Sequence, residues 1–149
     1  MLEPGEPFPN FTLPDQDDNP VSLSDFKGSP TVIYFYPKDD TGGCTAEACG
    51  FQESMGDIPG ARVVGVSPDP PASHRKFRAK YGLTFTLLAD TQKELIGPIG
   101  LWVEKKLYGN VYMGVARTTV LLDKEGIIRQ VWRNVNPKGH AEEVVAALQ

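Results

Sequence analysis

Cysteine is nearly absent from this chain of 149 residues, which carries only Cys44 and Cys49. One pair cannot build the disulfide framework of a small secreted scaffold, and a chain of this length buries a sufficient core without staples. No apolar run approaches the ~18 residues of a membrane span. The opening Met1-Leu2-Glu3-Pro4-Gly5-Glu6-Pro7 lacks the basic start and apolar core of a secretory leader. A soluble cytoplasmic protein is expected. Histidine is equally scarce, and neither of the two, His74 and His140, pairs locally with a cysteine, so the spacing of a zinc module is missing. Neither the Walker pattern nor G-x-G-x-x-G occurs, and no organic cofactor or metal is implied. With a net charge of −4 and scattered basic residues, nucleic acid and anionic membrane are excluded as partners. Repeats, low-complexity tracts and linkers are also lacking, so residues 1–149 read as one domain.

What is present is an alternation of strand and helix patterns. Phe11-Thr12-Leu13 and Val21-Ser22-Leu23, separated by a turn-rich stretch, predict an N-terminal hairpin. Thr31 to Tyr36 is a continuous apolar run of the kind buried on both faces. A helix is expected from Cys44 to Met55, then a strand over Arg62 to Val66 and a helix from Ala72 to Tyr81 closed by Gly82. Strands follow at Thr84 to Leu88, Thr118 to Leu122 and Ile127 to Trp132, with a terminal helix from His140 to Leu148. This order predicts an α/β, thioredoxin-like layout: a central mixed sheet with helices on both faces and an N-terminal β-hairpin extension.

The cysteines sit where the buried run gives way to a helix, just beyond the carboxyl end of a strand, where open α/β sheets gather their reactive groups. A thiol in the first turn of a helix meets orphan amides that favour the thiolate, which makes Cys44 a candidate nucleophile. Cys49, one and a half turns on, can capture its oxidised product. Acidity alone gives little. Lowering a thiol pKa from ~8.5 to ~6 raises the thiolate at pH 7 roughly thirtyfold. The accompanying fall in nucleophilicity removes about a factor of ten. Fast attack on a peroxide therefore needs donors aimed at the oxygens, where charge builds in the transition state. Thr41 offers a hydroxyl, and the amides of Gly43 and Cys44 can face an anion. Arg117, at the head of the strand Thr118 to Leu122, can give two parallel donors to thiolate and peroxide. Its alternative reading is a strand-end surface arginine.

The run Pro37 to Cys49 resembles the peroxiredoxin signature of proline, three residues, threonine, two residues, cysteine. The chain is most similar to the Q branch, or bacterioferritin comigratory protein type, in its atypical two-cysteine form. The likeness extends through Ser73-His74-Arg75-Lys76-Phe77, Glu104 to Gly109, Tyr112-Met113-Gly114 and Arg117-Thr118-Thr119. The resemblance implies a thiol peroxidase of antioxidant defence that reduces hydrogen peroxide and organic hydroperoxides. It makes Cys44 the peroxidatic cysteine and Cys49 the resolving one, with Thr41 and Arg117 holding peroxide and thiolate. It further implies that Pro37 packs over Cys44 and that Glu47 orients the arginine. Thioredoxin is the implied reductant, with glutaredoxin as the alternative. Gly42 stands where the branch usually has proline, which predicts a looser loop but removes no motif side chain.

Spacing adds a conformational expectation. On an ideal helix, residues five apart have Cα atoms about 8.6 Å from each other, whereas a disulfide tolerates at most about 7 Å. The pair can close only if the helix start unwinds. A thioredoxin-like disulfide reductase would instead use CxxC, whose Cα atoms lie only about 5 Å apart on a helix. Because both thiols lie in one chain, the chemistry calls for no second subunit, and a monomer is expected. His74 reads as a helix-surface or capping residue, Trp102 and Trp132 as packing, and Glu104, Lys105 and Lys106 as a solvated loop.

Overall fold

The computed structural model describes residues 2–54 and 60–148. A short hairpin, β1 (Thr12–Pro14) and β2 (Pro20–Ser22), leads into a 3-10 helix at Leu23–Phe26. Then follow β3 (Thr31–Phe35), α1 (Gly42–Ser54), β4 (Arg62–Ser67), α2 (Pro71–Tyr81) and β5 (Thr86–Ala89). The chain continues with β6 (Trp102–Leu107), β7 (Asn110–Val115), β8 (Thr118–Leu122), β9 (Ile128–Trp132) and α3 (His140–Leu148). The expected end of α1 at Met55 lies outside the described residues. No helix among the described residues is long and apolar enough to cross a membrane.

The five-stranded sheet has the order β5-β4-β3-β8-β9. β3, β4 and β5 run parallel, joined through α1 and α2, while β8 runs antiparallel to β3 and β9 antiparallel to β8. β3 is central, which is why all five of its residues are buried. Alternate side chains serve two cores. Ile33 and Phe35 face a cluster with Phe8 ahead of the hairpin, Leu13 of β1, Phe26 of the 3-10 helix and Ile96 in the turns after β5. Val32, Tyr34 and Tyr36 face the other cluster, with Phe51 of α1, Phe77 of α2 and Val144 of α3. The mixed sheet is flanked as expected, but unevenly, with the buried apolar residues of all three α-helices in the same cluster. That cluster is rich in stacked rings: Tyr34 lies 4.8 Å from Phe51 and 5.3 Å from Tyr36, centroid to centroid. Gly65 leaves room for them, since a Cβ there would sit 2.9 Å from Cζ of Tyr34 and 2.8 Å from Cδ2 of Leu87.

Capping explains α2. Pro71 occupies its first turn, where no amide donor is needed, and Gly82 closes it at φ +64. Two sequence readings are corrected. His74 is not on the helix surface but fully buried. Glu104, Lys105 and Lys106 are not a loop but lie in β6, which pairs with β7 as a separate ribbon. That ribbon keeps Leu107, Tyr108, Val111, Tyr112 and Met113 exposed. With so little burial it carries no clean alternation, and its pattern does not announce a strand.

Candidate active site

The register of the sheet assembles the site. β8 runs antiparallel to β3 with Phe35 opposite Thr118, so the residue before β8 arrives where β3 ends. Arg117 therefore meets the start of α1, reached from β3 through the loop of residues 36–41. The first helical bond runs from the amide of Thr45 to the carbonyl of Thr41, at 2.8 Å. The amides of Gly42, Gly43 and Cys44 thus form the first turn, where donors have no partner within the helix.

Cys44 is 1% exposed. Arg117 donates from Nη2 to its sulfur at 3.3 Å and from Nη1 to Oε1 of Glu47 at 2.7 Å. One guanidinium thus holds two groups that lie one helical turn apart. Glu47 is buried, and its Oε2 has no partner among the described residues. Burial pushes its carboxyl up to about 7, opposed by the charge and hydrogen bond of Arg117. For Arg117, burial works against the charge, but Cys44 and Glu47 outweigh it and the group is raised. Gly43 supplies the close approach: a Cβ there would lie 3.2 Å from Cγ of Pro137 and 3.3 Å from Nη2 of Arg117.

The remaining candidates take different places. Thr41 is exposed, and its hydroxyl donates to the carbonyl of Lys38 at 3.0 Å, leaving the oxygen's lone pairs to accept. Pro37 is half-buried at the head of the loop. Cys49 is a free, half-buried thiol on the same continuous helix, not joined to Cys44. Burial, with the nearby charge of Glu53, raises its thiol. The two sulfurs are thus unlike: one contacts a guanidinium, and the other favours its protonated form.

Two neighbours escaped sequence reasoning. Pro137, in the segment before α3, has nothing in its local pattern that points to Gly43. Lys105 stands in a charged stretch, yet it is half-buried beside Gly114, and its amine is lowered by burial and by the charge of Arg117, against the influence of Cys44. One grouping among the described residues offers metal-ligand atoms within 4.8 Å of one another: Asp39, Asp69 and His74. Their atoms are already engaged. Oδ2 of Asp69 accepts from the Asp39 amide and the Ser67 hydroxyl, while Oδ2 of Asp39 accepts from Ser73 and meets Nδ1 of His74.

A buried thiol held by an arginine that is itself paired with a buried carboxylate is an arrangement for peroxide chemistry, and similarity to known proteins agrees. Residues 4–131 match the AhpC/TSA family. The chain belongs to this family, in its peroxiredoxin Q branch. It is similar to peroxiredoxin Bcp of Bacillus subtilis, 42% identical over 151 residues, covering 99% of this chain and 96% of that one. The solved structure of a PrxQ mutant from Xylella fastidiosa superposes with a TM-score of 0.92 at 34% identity, covering 99% of this chain and 96% of the other. The bacterioferritin comigratory protein of Xanthomonas campestris, whose alkyl peroxide reduction was studied structurally, gives a TM-score of 0.88 at 38% identity, with coverage of 99% and 96%. This peroxiredoxin is accordingly a thiol-dependent peroxidase with the thioredoxin-like fold of its branch.

Proposed function

We propose that Cys44 is the peroxidatic residue and Cys49 the resolving one of a peroxidase for hydrogen peroxide and organic hydroperoxides. The observation that carries this is the guanidinium of Arg117 spanning the Cys44 sulfur and Glu47. The Cys44 thiolate attacks one peroxide oxygen, the O–O bond breaks, and the other oxygen leaves as alkoxide or hydroxide to take up a proton. Arg117 and the amides of Gly43 and Cys44 face the developing charge, Thr41 accepts from the peroxide hydroxyl, and Pro37 helps exclude water. The Cys49 thiol then condenses with the Cys44 sulfenic acid, forming a disulfide and releasing water. A dithiol protein such as thioredoxin, with glutaredoxin as the alternative, returns both thiols. The protein acts as a cytoplasmic monomer, because no step draws on a second subunit.

An intact α1 keeps the two Cα atoms about 8.6 Å apart, beyond disulfide reach, so the start of the helix unwinds between the two steps. Stopped-flow peroxide consumption with thioredoxin separates the roles. Cys44→Ser abolishes turnover, whereas Cys49→Ser keeps one turnover and loses thioredoxin-driven cycling. Activity surviving in Cys44→Ser, or sustained cycling by Cys49→Ser, refutes the assignment.

A further inference from the structure

The loop that delivers Cys44 is tied down on the side away from α1. Asp39 is buried, and its Oδ1 accepts from the Tyr36 hydroxyl at 2.5 Å. Its Oδ2 accepts from the Ser73 hydroxyl at 2.8 Å and lies 2.7 Å from Nδ1 of His74. The Asp39 amide donates to Oδ2 of Asp69 at 2.9 Å. His74, with 0% exposure, is bonded on both sides of its ring, since Nε2 lies 2.9 Å from the carbonyl of Leu88. A carbonyl only accepts, so Nε2 donates the hydrogen of that bond. The imidazole thereby links the loop to β5. Asp40, held at φ +56, accepts from Lys80 at 2.8 Å and from the Tyr81 hydroxyl at 2.6 Å. These anchors end on α2, on β5, on Tyr36 at the end of β3, or on Asp69 just beyond β4, and none ends on α1.

We propose that Asp39 and His74 are positioning residues that form a fixed abutment for the redox cycle. They hold residues 37–40 against α2 and β5 in both the reduced and the disulfide state. The inference rests on the reading that α1 must unwind for Cys44 to meet Cys49. Unwinding then begins beyond Asp40, which leaves a short arm of residues 41–44 to carry the thiol. At roughly 3.3 to 3.6 Å per extended residue, such an arm spans the approach that an intact helix forbids. A short arm also limits where Cys44 can wander, so reduction returns it to Arg117 against a loop that never dissolved.

Site-resolved amide exchange on the full-length protein, reduced and peroxide-oxidised, tests this. Thr45, bonded to Thr41, reports on the helix start, and Asp39, bonded to Asp69, reports on the abutment. On oxidation the Thr45 amide loses about a hundredfold or more of its protection, while the Asp39 amide and the His74 Nε2–H resonance remain unchanged. Loss of protection at Asp39 overturns the proposal and leaves the unwinding reading standing. Protection kept at both positions overturns the unwinding reading itself.

His74→Phe supplies a kinetic readout. Attack on peroxide slows by about tenfold while disulfide closure is not slowed, because loosening the loop harms only the step that needs exact placement. Parallel slowing of both steps shows a merely structural residue and overturns the assignment. Tyr36→Phe, which removes one hydroxyl from Asp39 and keeps the ring, gives the same split at about threefold and serves if His74→Phe does not fold.

Discussion

Glu47→Gln turns the buried carboxylate into a measurable quantity. Its folded-state value of about 7 stands against 4.5 for the unperturbed group. Below pH ~4.5 both folded and unfolded chains hold the proton. Between ~4.5 and ~7 the folded chain keeps a proton that the unfolded chain has released, so this group's stabilisation is lost as pH rises through ~7. The difference corresponds to roughly 3 kcal/mol across that window, with a slope of about 1 kcal/mol per pH unit near pH 6. Glutamine keeps an oxygen for the Arg117 donor and has no charge to desolvate. Urea unfolding followed by Trp102 and Trp132 fluorescence, on wild type and variant from pH ~4.5 to ~8, reads the effect. Relative to the variant, the reduced wild type loses roughly 3 kcal/mol as pH rises. Parallel stability curves for the two proteins refute the reasoning.

Arg117→Lys keeps the charge but cannot reach Glu47 and Cys44 with two forked donors. The second-order rate with peroxide falls by about ten- to a hundredfold, and a loss below about threefold would show that the fork is not needed. Gly65→Ala drives a methyl against Cζ of Tyr34 and Cδ2 of Leu87. It lowers stability by about 1 to 3 kcal/mol in urea titrations, and an unshifted midpoint would contradict the ring packing.

Where burial was complete, the sequence announced its structure. Thr31 to Phe35 reads as strand because every residue is apolar or β-branched, and α3 begins at His140 and ends at Leu148, the expected bounds. Strand β8 was equally plain, and with it the position of Arg117, although only the antiparallel register brings that residue to Cys44. α1 begins two residues before the expected Cys44, because Gly42 and Gly43 have no helical propensity to advertise and take their conformation from the loop they end. β6 and β7 were invisible, since most of the ribbon meets water and a charged run such as Glu104-Lys105-Lys106 has no apolar alternation to betray it. His74 sits between Ser73 and Arg75-Lys76, so its neighbours argue for solvent. Its burial follows from a partner thirty-five residues earlier in the chain.

The place of β8 in the sheet also sets an order of events during synthesis. The chain emerges with β3, α1, β4, α2 and β5 in sequence, and β3, β4 and β5 can pair with one another before β8, the other neighbour of β3, has been made. Cys44 and Cys49 are therefore present well before Arg117, the amides of α1 included. Until β8 slots in beside β3 and brings its guanidinium, the thiol has no cation beside it. A nascent or truncated chain that stops short of β8 thus holds both sulfurs without the guanidinium contact, and the entry of β8 beside β3 completes the arrangement around Cys44.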